Sequence, residues 1–155
     1  MCSNHFDWIL EDVALGNIIA GSQLKELQKN NISAVVAILP HLPHKSSYYV
    51  KNGFSLFHIP LFDAPNEDIS KWFDHVSDFI MAHRFMKRKI LVHCHAGISR
   101  STTLVASFLM NLKNWNHNEA IRYIRTKRSC VNPNTGFLKQ LSKYKGNTHP
   151  PQVRS

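Results

Sequence analysis

One cysteine among the three in this 155-residue chain has an arginine six positions downstream. The stretch runs Lys89-Ile90-Leu91-Val92-His93-Cys94-His95-Ala96-Gly97-Ile98-Ser99-Arg100-Ser101. Seven arginines make that spacing easy to meet by chance, although Cys2 precedes Trp8 and Cys130 precedes Gly136 at the same offset. The surroundings carry more information than the spacing. The apolar run before His93 predicts a short buried strand that delivers Cys94 to its carboxyl end. Gly97 permits a turn that other residues resist. From Ser101 to Lys113 the chain is apolar almost all round, which predicts a helix deep in the core. Backbone N–H groups from His95 to Arg100 can therefore curl round an oxyanion at the positive end of that helix. Arg100 adds a planar fork for two of its oxygens. The same setting favours the thiolate of Cys94, a nucleophile aimed at the phosphorus of a bound phosphate. A lone cysteine after a strand is ordinarily a small core residue. Here the turn and the arginine outweigh that reading.

The segment His93 to Ser101 resembles the signature loop of cysteine-based protein-tyrosine phosphatases, and its Ala-Gly-x-Ser-Arg-Ser form looks like the dual-specificity branch. The resemblance extends over about residues 8 to 144. It includes Ile59-Pro60-Leu61-Phe62-Asp63 and Ser129-Cys130-Val131-Asn132-Pro133-Asn134-Thr135-Gly136-Phe137, segments similar to small atypical dual-specificity phosphatases of the Jun-kinase-stimulatory type. What it implies is hydrolysis of phosphotyrosine and phosphoserine or phosphothreonine in proteins through a phosphocysteine. Cys94 would be the nucleophile and Asp63 the general acid. His95, Ala96, Gly97, Ile98, Ser99 and Arg100 would hold the phosphate, and the Ser101 hydroxyl would stabilise the thiolate as it leaves. Without the resemblance, Asp63 just before Pro65 reads as a turn former. Glu67 and Asp68 read as favourable charge at the start of the next helix.

Other chemistries fit less well. The adjacent His93-Cys94-His95 triplet lacks the separated ligand pairs of a zinc site, and successive strand residues face opposite ways. No metal or cofactor is expected. Phosphatases of this superfamily that take phosphoinositides or the 5′ triphosphate of RNA often carry lysines inside the loop, and this loop has none. A phospho-binding pseudophosphatase would lack the cysteine or the arginine. A rhodanese or arsenate reductase could share a cysteine loop, but an upstream aspartate with the arginine downstream favours the phosphatase order.

Composition bounds the scaffold that must position these groups. A chain of 43% hydrophobic and 19% charged residues is globular, and its length suits one domain. We expect a catalytic domain over residues 1–145 and a flexible tail over 146–155. Nineteen Lys and Arg against ten Asp and Glu favour acidic or phosphorylated partners. The charge is scattered, with modest concentrations at Arg84–Lys89 and Arg122–Arg128 that read as a solvated surface, so nucleic acid is not expected. No segment has the length of a membrane span and no leader opens the chain. Met1-Cys2-Ser3 also lacks the Met-Gly start of myristoylated relatives. The expectation is an unanchored monomer in the cytoplasm or nucleus. Three cysteines cannot build a disulfide framework, and Cys130 reads as a buried thiol with a role as redox partner of Cys94 as the lesser alternative.

Strands alternate with helices, which predicts an α/β fold: a mostly parallel central sheet flanked by helices, with the phosphate-binding loop between a central strand and a buried helix. Trp8 to Leu15 reads as one edge strand. Ser22 reads as the cap of a helix to Asn30. Strands are expected at Ser33–Leu39, Phe54–Ile59 and Lys89–His93, with a surface loop from His41 to Asn52. Helices are expected from Ile69 to about Phe85, at Ser101–Lys113, after Asn116, and from Pro133 to about Tyr144. The stripe Trp72, Phe73, Val76, Phe79 and Ile80 falls on one helical face and reads as core.

If Cys94 is the nucleophile, Cys94→Ser abolishes turnover of a phosphopeptide while binding it, because the turn and Arg100 remain. Titration of the variant with labelled phosphopeptide, beside a turnover assay, checks this. Normal hydrolysis by the serine variant sinks the assignment.

Overall fold

The computed structural model describes residues 2–146. Five strands form one sheet: β1 (Phe6–Leu10), β2 (Val13–Gly16), β3 (Ile32–Ile38), β4 (Ser55–Ile59) and β5 (Lys89–His93). Their order is β1-β2-β5-β3-β4, so the strand that leads into Cys94 is the middle one. It runs parallel to both neighbours, β2 and β3, while β1 alone is antiparallel. All four parallel strands therefore end at the same edge of the sheet.

Both faces of the sheet are covered, and the period-2 alternation of strand side chains shows how. Val13, Leu15, Ala34, Val36, Ile38, Ile90 and Val92 belong to one core cluster with residues of α4 (Phe73–Phe85), α5 (Arg100–Lys113), α6 (His117–Lys127) and α7 (Thr135–Lys143). The intervening Ala14, Val35, Ala37 and Leu91 point into a second cluster with Ala20, Leu24, Leu27, Tyr49 and Phe54. Those come from α1 (Ile18–Ser22), α2 (Leu24–Lys29), α3 (Ser46–Lys51) and the residue before β4. A strand covered on both sides needs apolar residues throughout, which is why β3 and β5 read as unbroken apolar runs. Helix α5 is buried from Arg100 to Met110 and packs against the sheet. Its polar Thr103 and Ser107 return hydrogen bonds to the carbonyls of Ser99 and Leu104.

The α/β architecture agrees with the sequence reading, and so do β3, β4, β5 and α4 to α7 within a few residues. The expected helix from Ile69 opens with a 3₁₀ turn over Ser70–Trp72 before α4 begins. In the core stripe, Phe73, Val76 and Ile80 are buried, while Trp72 and Phe79 pack against them partly exposed. Asn116 and Glu119 form a reciprocal capping box at α6.

Three expectations fail for local reasons. Residues 8–15 are not one edge strand: Glu11 and Asp12 turn the chain, separating edge strand β1 from β2 inside the sheet. Ser22 is not an N-cap. Asn17 caps α1 by accepting from the Ala20 N–H at 3.0 Å, and Ser22 ends that helix by donating to the Ile19 carbonyl. The segment 41–52 is not all loop, because α3 forms where Tyr49 is buried and donates its hydroxyl to the Gly21 carbonyl at 3.3 Å. Of the expected tail over 146–155, residues 147–155 lie outside the described residues. Among the described residues no helix is long and apolar enough to cross a membrane.

Gly21 decides how closely α1 approaches the centre of the sheet. A Cβ there would run into the His93 ring. Gly21→Ala should therefore cost about 1–3 kcal/mol through overpacking, read from urea denaturation. Exposed Lys25→Ala, as a control, should stay within about 0.5 kcal/mol. Wild-type stability in Gly21→Ala would contradict this packing.

Candidate active site

β5 ends at His93 and α5 begins at Arg100, leaving six residues for the turn between them. Cys94 is buried at the base of this turn, with Sγ 3.1 Å from the Ser101 Oγ on the first turn of α5. A thiolate has no proton to give, so in that state the hydroxyl is the donor. Gly97 adopts φ +68°, in the left-handed region that glycine favours.

The carbonyls of the turn are tied down from outside it. Ile18 N–H donates to His95 O at 2.9 Å, and Asn132 N–H to Ile98 O at 2.9 Å. Arg128 Nε donates to Gly97 O at 3.0 Å. In a planar trans peptide the C=O and the following N–H point opposite ways. Each carbonyl held outward therefore turns an amide inward: Ala96, Ile98 and Ser99. Among the described residues the amides from His95 to Arg100 have no acceptor. The inward amides of Ala96, Ile98 and Ser99, together with the amino end of α5, offer a concave set of donors that suits an anion.

Arg100 is 8% exposed and its Nη1 donates to the Leu61 carbonyl at 2.9 Å. That bond ties the arginine to the loop bearing Asp63. Asp63 is exposed, and its carboxylate accepts from Asn134 Nδ2 at 2.9 Å. Asn134 also donates its backbone N–H to Ser99 Oγ at 2.9 Å and caps α7 by accepting from Phe137 N–H. Gly136 packs against the Pro65 carbonyl so closely that no Cβ would fit. These contacts join the loop carrying Asp63, the turn after Cys94 and the start of α7. Cys94, Arg100, Ser101 and the residues from His95 to Ser99 thus share one structure, with Asp63 linked to it through Asn134.

Residues beyond the sequence expectation also contribute. Arg128 is 2% exposed, not part of a solvated basic face. Its buried charge is met by Asp7 at 2.8 Å, a residue 121 positions away, which no local charge count detects. Asn132 and Asn134 were visible only as part of a resembling segment. Cys130 is half-buried and bonded to Cys2, with Cα atoms 5.3 Å apart, so it is neither a buried thiol nor the partner of Cys94. Cys94 is the free thiol among the described cysteines.

His93, immediately before Cys94, is wholly buried. Burial pushes its pKa down to about 4, against a smaller raising effect of the Cys94 carbonyl contact. That carbonyl can only accept, so Nδ1 carries the proton at 3.3 Å. Nε2, which has no hydrogen-bond partner, is then the unprotonated nitrogen. Among the described residues no group of three or more His, Cys, Asp or Glu could hold a metal ion.

A family model for the dual specificity phosphatase catalytic domain matches residues 13–147. Human dual specificity protein phosphatase 22 is 31% identical over 141 residues, 91% of this chain and 74% of that protein. Slingshot of Drosophila melanogaster is 30% identical over 89% of this chain, which spans only 13% of Slingshot's length. The crystal structure of DUSP15 superposes with a TM-score of 0.80 at 31% identity, covering 88% of this chain and 85% of that one. PTPMT1 in complex with PI(5)P has the same fold, with a TM-score of 0.80 at 23% identity over 90% and 93% of the two chains.

The neutral His93 makes stability depend on acid. Folded, it resists protonation to about pH 4; unfolded, it protonates near 6.5. Unfolding therefore takes up a proton between those values, and stability falls as pH drops through that window, by up to about 3 kcal/mol. Urea denaturation from pH 7 to 4.5 should show a steeper loss in the wild type than in His93→Gln. Parallel profiles would remove His93 as the cause.

Proposed function

Because the chain belongs to the dual specificity phosphatase catalytic-domain family, we propose that it hydrolyses phosphotyrosine and phosphoserine or phosphothreonine in proteins through a phosphocysteine on Cys94. The observation that carries this reading is a buried Cys94 whose Sγ contacts the Ser101 hydroxyl, at the base of a turn whose amides of Ala96, Ile98 and Ser99 face inward and which leads into the buried Arg100.

The Cys94 thiolate attacks phosphorus in line, forming the S–P bond as the bond to the leaving oxygen breaks. Arg100 and the amides from His95 to Arg100 hold the equatorial oxygens, where charge concentrates in such a transfer. Asp63, protonated, gives its proton to the leaving oxygen. In the second step the Asp63 carboxylate takes a proton from water as that water attacks phosphorus. The S–P bond breaks and its electrons return to sulfur, which accepts a hydrogen bond from Ser101. No redox partner or metal enters this sequence.

The rival substrates share the chemistry, and phosphatases of this superfamily that take them often carry lysines inside the loop. PTPMT1 has been crystallised with PI(5)P. In this chain the six-residue turn holds neither lysine nor arginine; Arg100 follows it as the first residue of α5, and His95 is exposed. The net charge of +9 is spread over the surface and suits phosphosites flanked by acidic residues, a preference that added salt should weaken.

A panel of phosphotyrosine and phosphothreonine peptides, soluble phosphoinositides and triphosphate-ended RNA tests the reading. We expect phosphotyrosine turnover first and measurable phosphothreonine turnover second. Asp63→Asn should slow both by roughly 10²–10⁴-fold and flatten the basic limb of the pH–rate profile. A clear preference for lipid or RNA would overturn the protein-phosphatase reading. An unchanged profile in Asp63→Asn would move the acid to another group.

A further inference from the structure

We propose that Arg128 is a positioning residue for phosphate binding, acting through the Gly97–Ile98 peptide and held in place by the N-terminal arm. The inference rests on the reading of the turn after Cys94 as the phosphate site.

Three carbonyls within that turn are restrained from outside. Those of His95 and Ile98 accept from backbone N–H groups of Ile18 and Asn132. The carbonyl of Gly97 is held by a side chain, Arg128 Nε. This is also the peptide most free to rotate, because the residue before it is a glycine already at positive φ. Rotation would bring the Gly97 carbonyl toward the bound anion and turn the Ile98 N–H away. A donor would be exchanged for a repelling acceptor. The charged fork of Arg128 opposes that exchange.

Arg128 cannot be a surface contact that happens to reach the loop. Its side chain is 1% exposed, and its charge is balanced by Asp7. Nη1 donates both to Asp7 Oδ2 at 2.8 Å and to the Asn4 carbonyl at 2.9 Å, while Nε faces Gly97. The second terminal nitrogen lies against Gly97: a Cβ built there would stand 2.7 Å from Nη2. A planar fork is required because Nε and Nη1 serve two directions at once. A lysine ammonium is a point donor on a flexible stem and cannot reproduce that geometry. The arm carrying Asn4 and Asp7 is tied to the same region a second time by the bond between Cys2 and Cys130.

The test compares wild type, Arg128→Lys, Arg128→Met and Asp7→Asn. It measures kcat and KM on p-nitrophenyl phosphate, competitive inhibition by inorganic phosphate and by vanadate, and thermal stability. Arg128→Met should weaken both inhibitors by about tenfold and lower kcat/KM by roughly 10²-fold, the scale of losing one transition-state donor. Arg128→Lys should fall between it and wild type. Asp7→Asn leaves the fork its neutral partner and should weaken the inhibitors about threefold, which keeps the inference testable if Arg128→Met does not fold. A lower melting temperature with unchanged inhibition constants in the folded variants would make Arg128 merely structural and overturn the inference. If wild type itself neither turns over the ester nor binds vanadate, the phosphatase reading fails, and this inference with it.

Discussion

The orientation of a few peptide planes governs the chemistry this molecule can do. A turn of six residues between a strand and a helix has no intrinsic reason to present donors on its concave side. It does so here because its carbonyls are drawn outward by neighbours from two distant parts of the chain. The start of α1 takes the His95 carbonyl, and the α6–α7 connection takes the other two, that of Ile98 through the Asn132 N–H and that of Gly97 through Arg128. Removing these partners would leave Cys94 and Arg100 in sequence but without a shaped anion site.

The scaffold follows from that requirement. Neighbours on both sides of the turn imply helices on both faces of the sheet, and the central strand must then be apolar on both faces. His93 shows the cost of placing a polar group there. It survives by staying neutral, with one nitrogen bonded to the Cys94 carbonyl and the other set over Gly21. The rigidity of α5, buried for most of its length, fixes Arg100 and Ser101 relative to the sulfur.

Local chemistry was legible in the sequence wherever one segment supplied all its parts. Cys94, Gly97, Arg100 and Ser101 lie within eight residues, and strand, turn and helix patterns surround them. Strands β3 and β5 announced themselves as apolar runs because burial on both faces leaves no polar phase. The periodicity of α4 and the capping box of α6 were equally local. What escaped depended on distant partners. The break between β1 and β2 is a turn of two charged residues inside an otherwise strand-like run, and α3 forms because Tyr49 finds a buried place beneath Gly21. Asp63 was identifiable only by resemblance, since its tie to Asn134 spans 71 residues. Arg128 looked like ordinary surface charge because its acidic partner lies near the other end of the chain.

That scatter of contributors has a consequence for how the enzyme comes into being during synthesis. Chains emerge from the amino end, so Cys94 is made before Arg128, Asn132 and Asn134, whose bonds shape the turn around it. At about 5–20 residues per second, the 40 positions from Cys94 to Asn134 take roughly 2–8 s to add. Throughout that interval the nascent chain holds its thiol without a completed anion site. A site built this way cannot close until the residues up to Asn134 have left the ribosome. The order of the parts along the chain sets when the site can close.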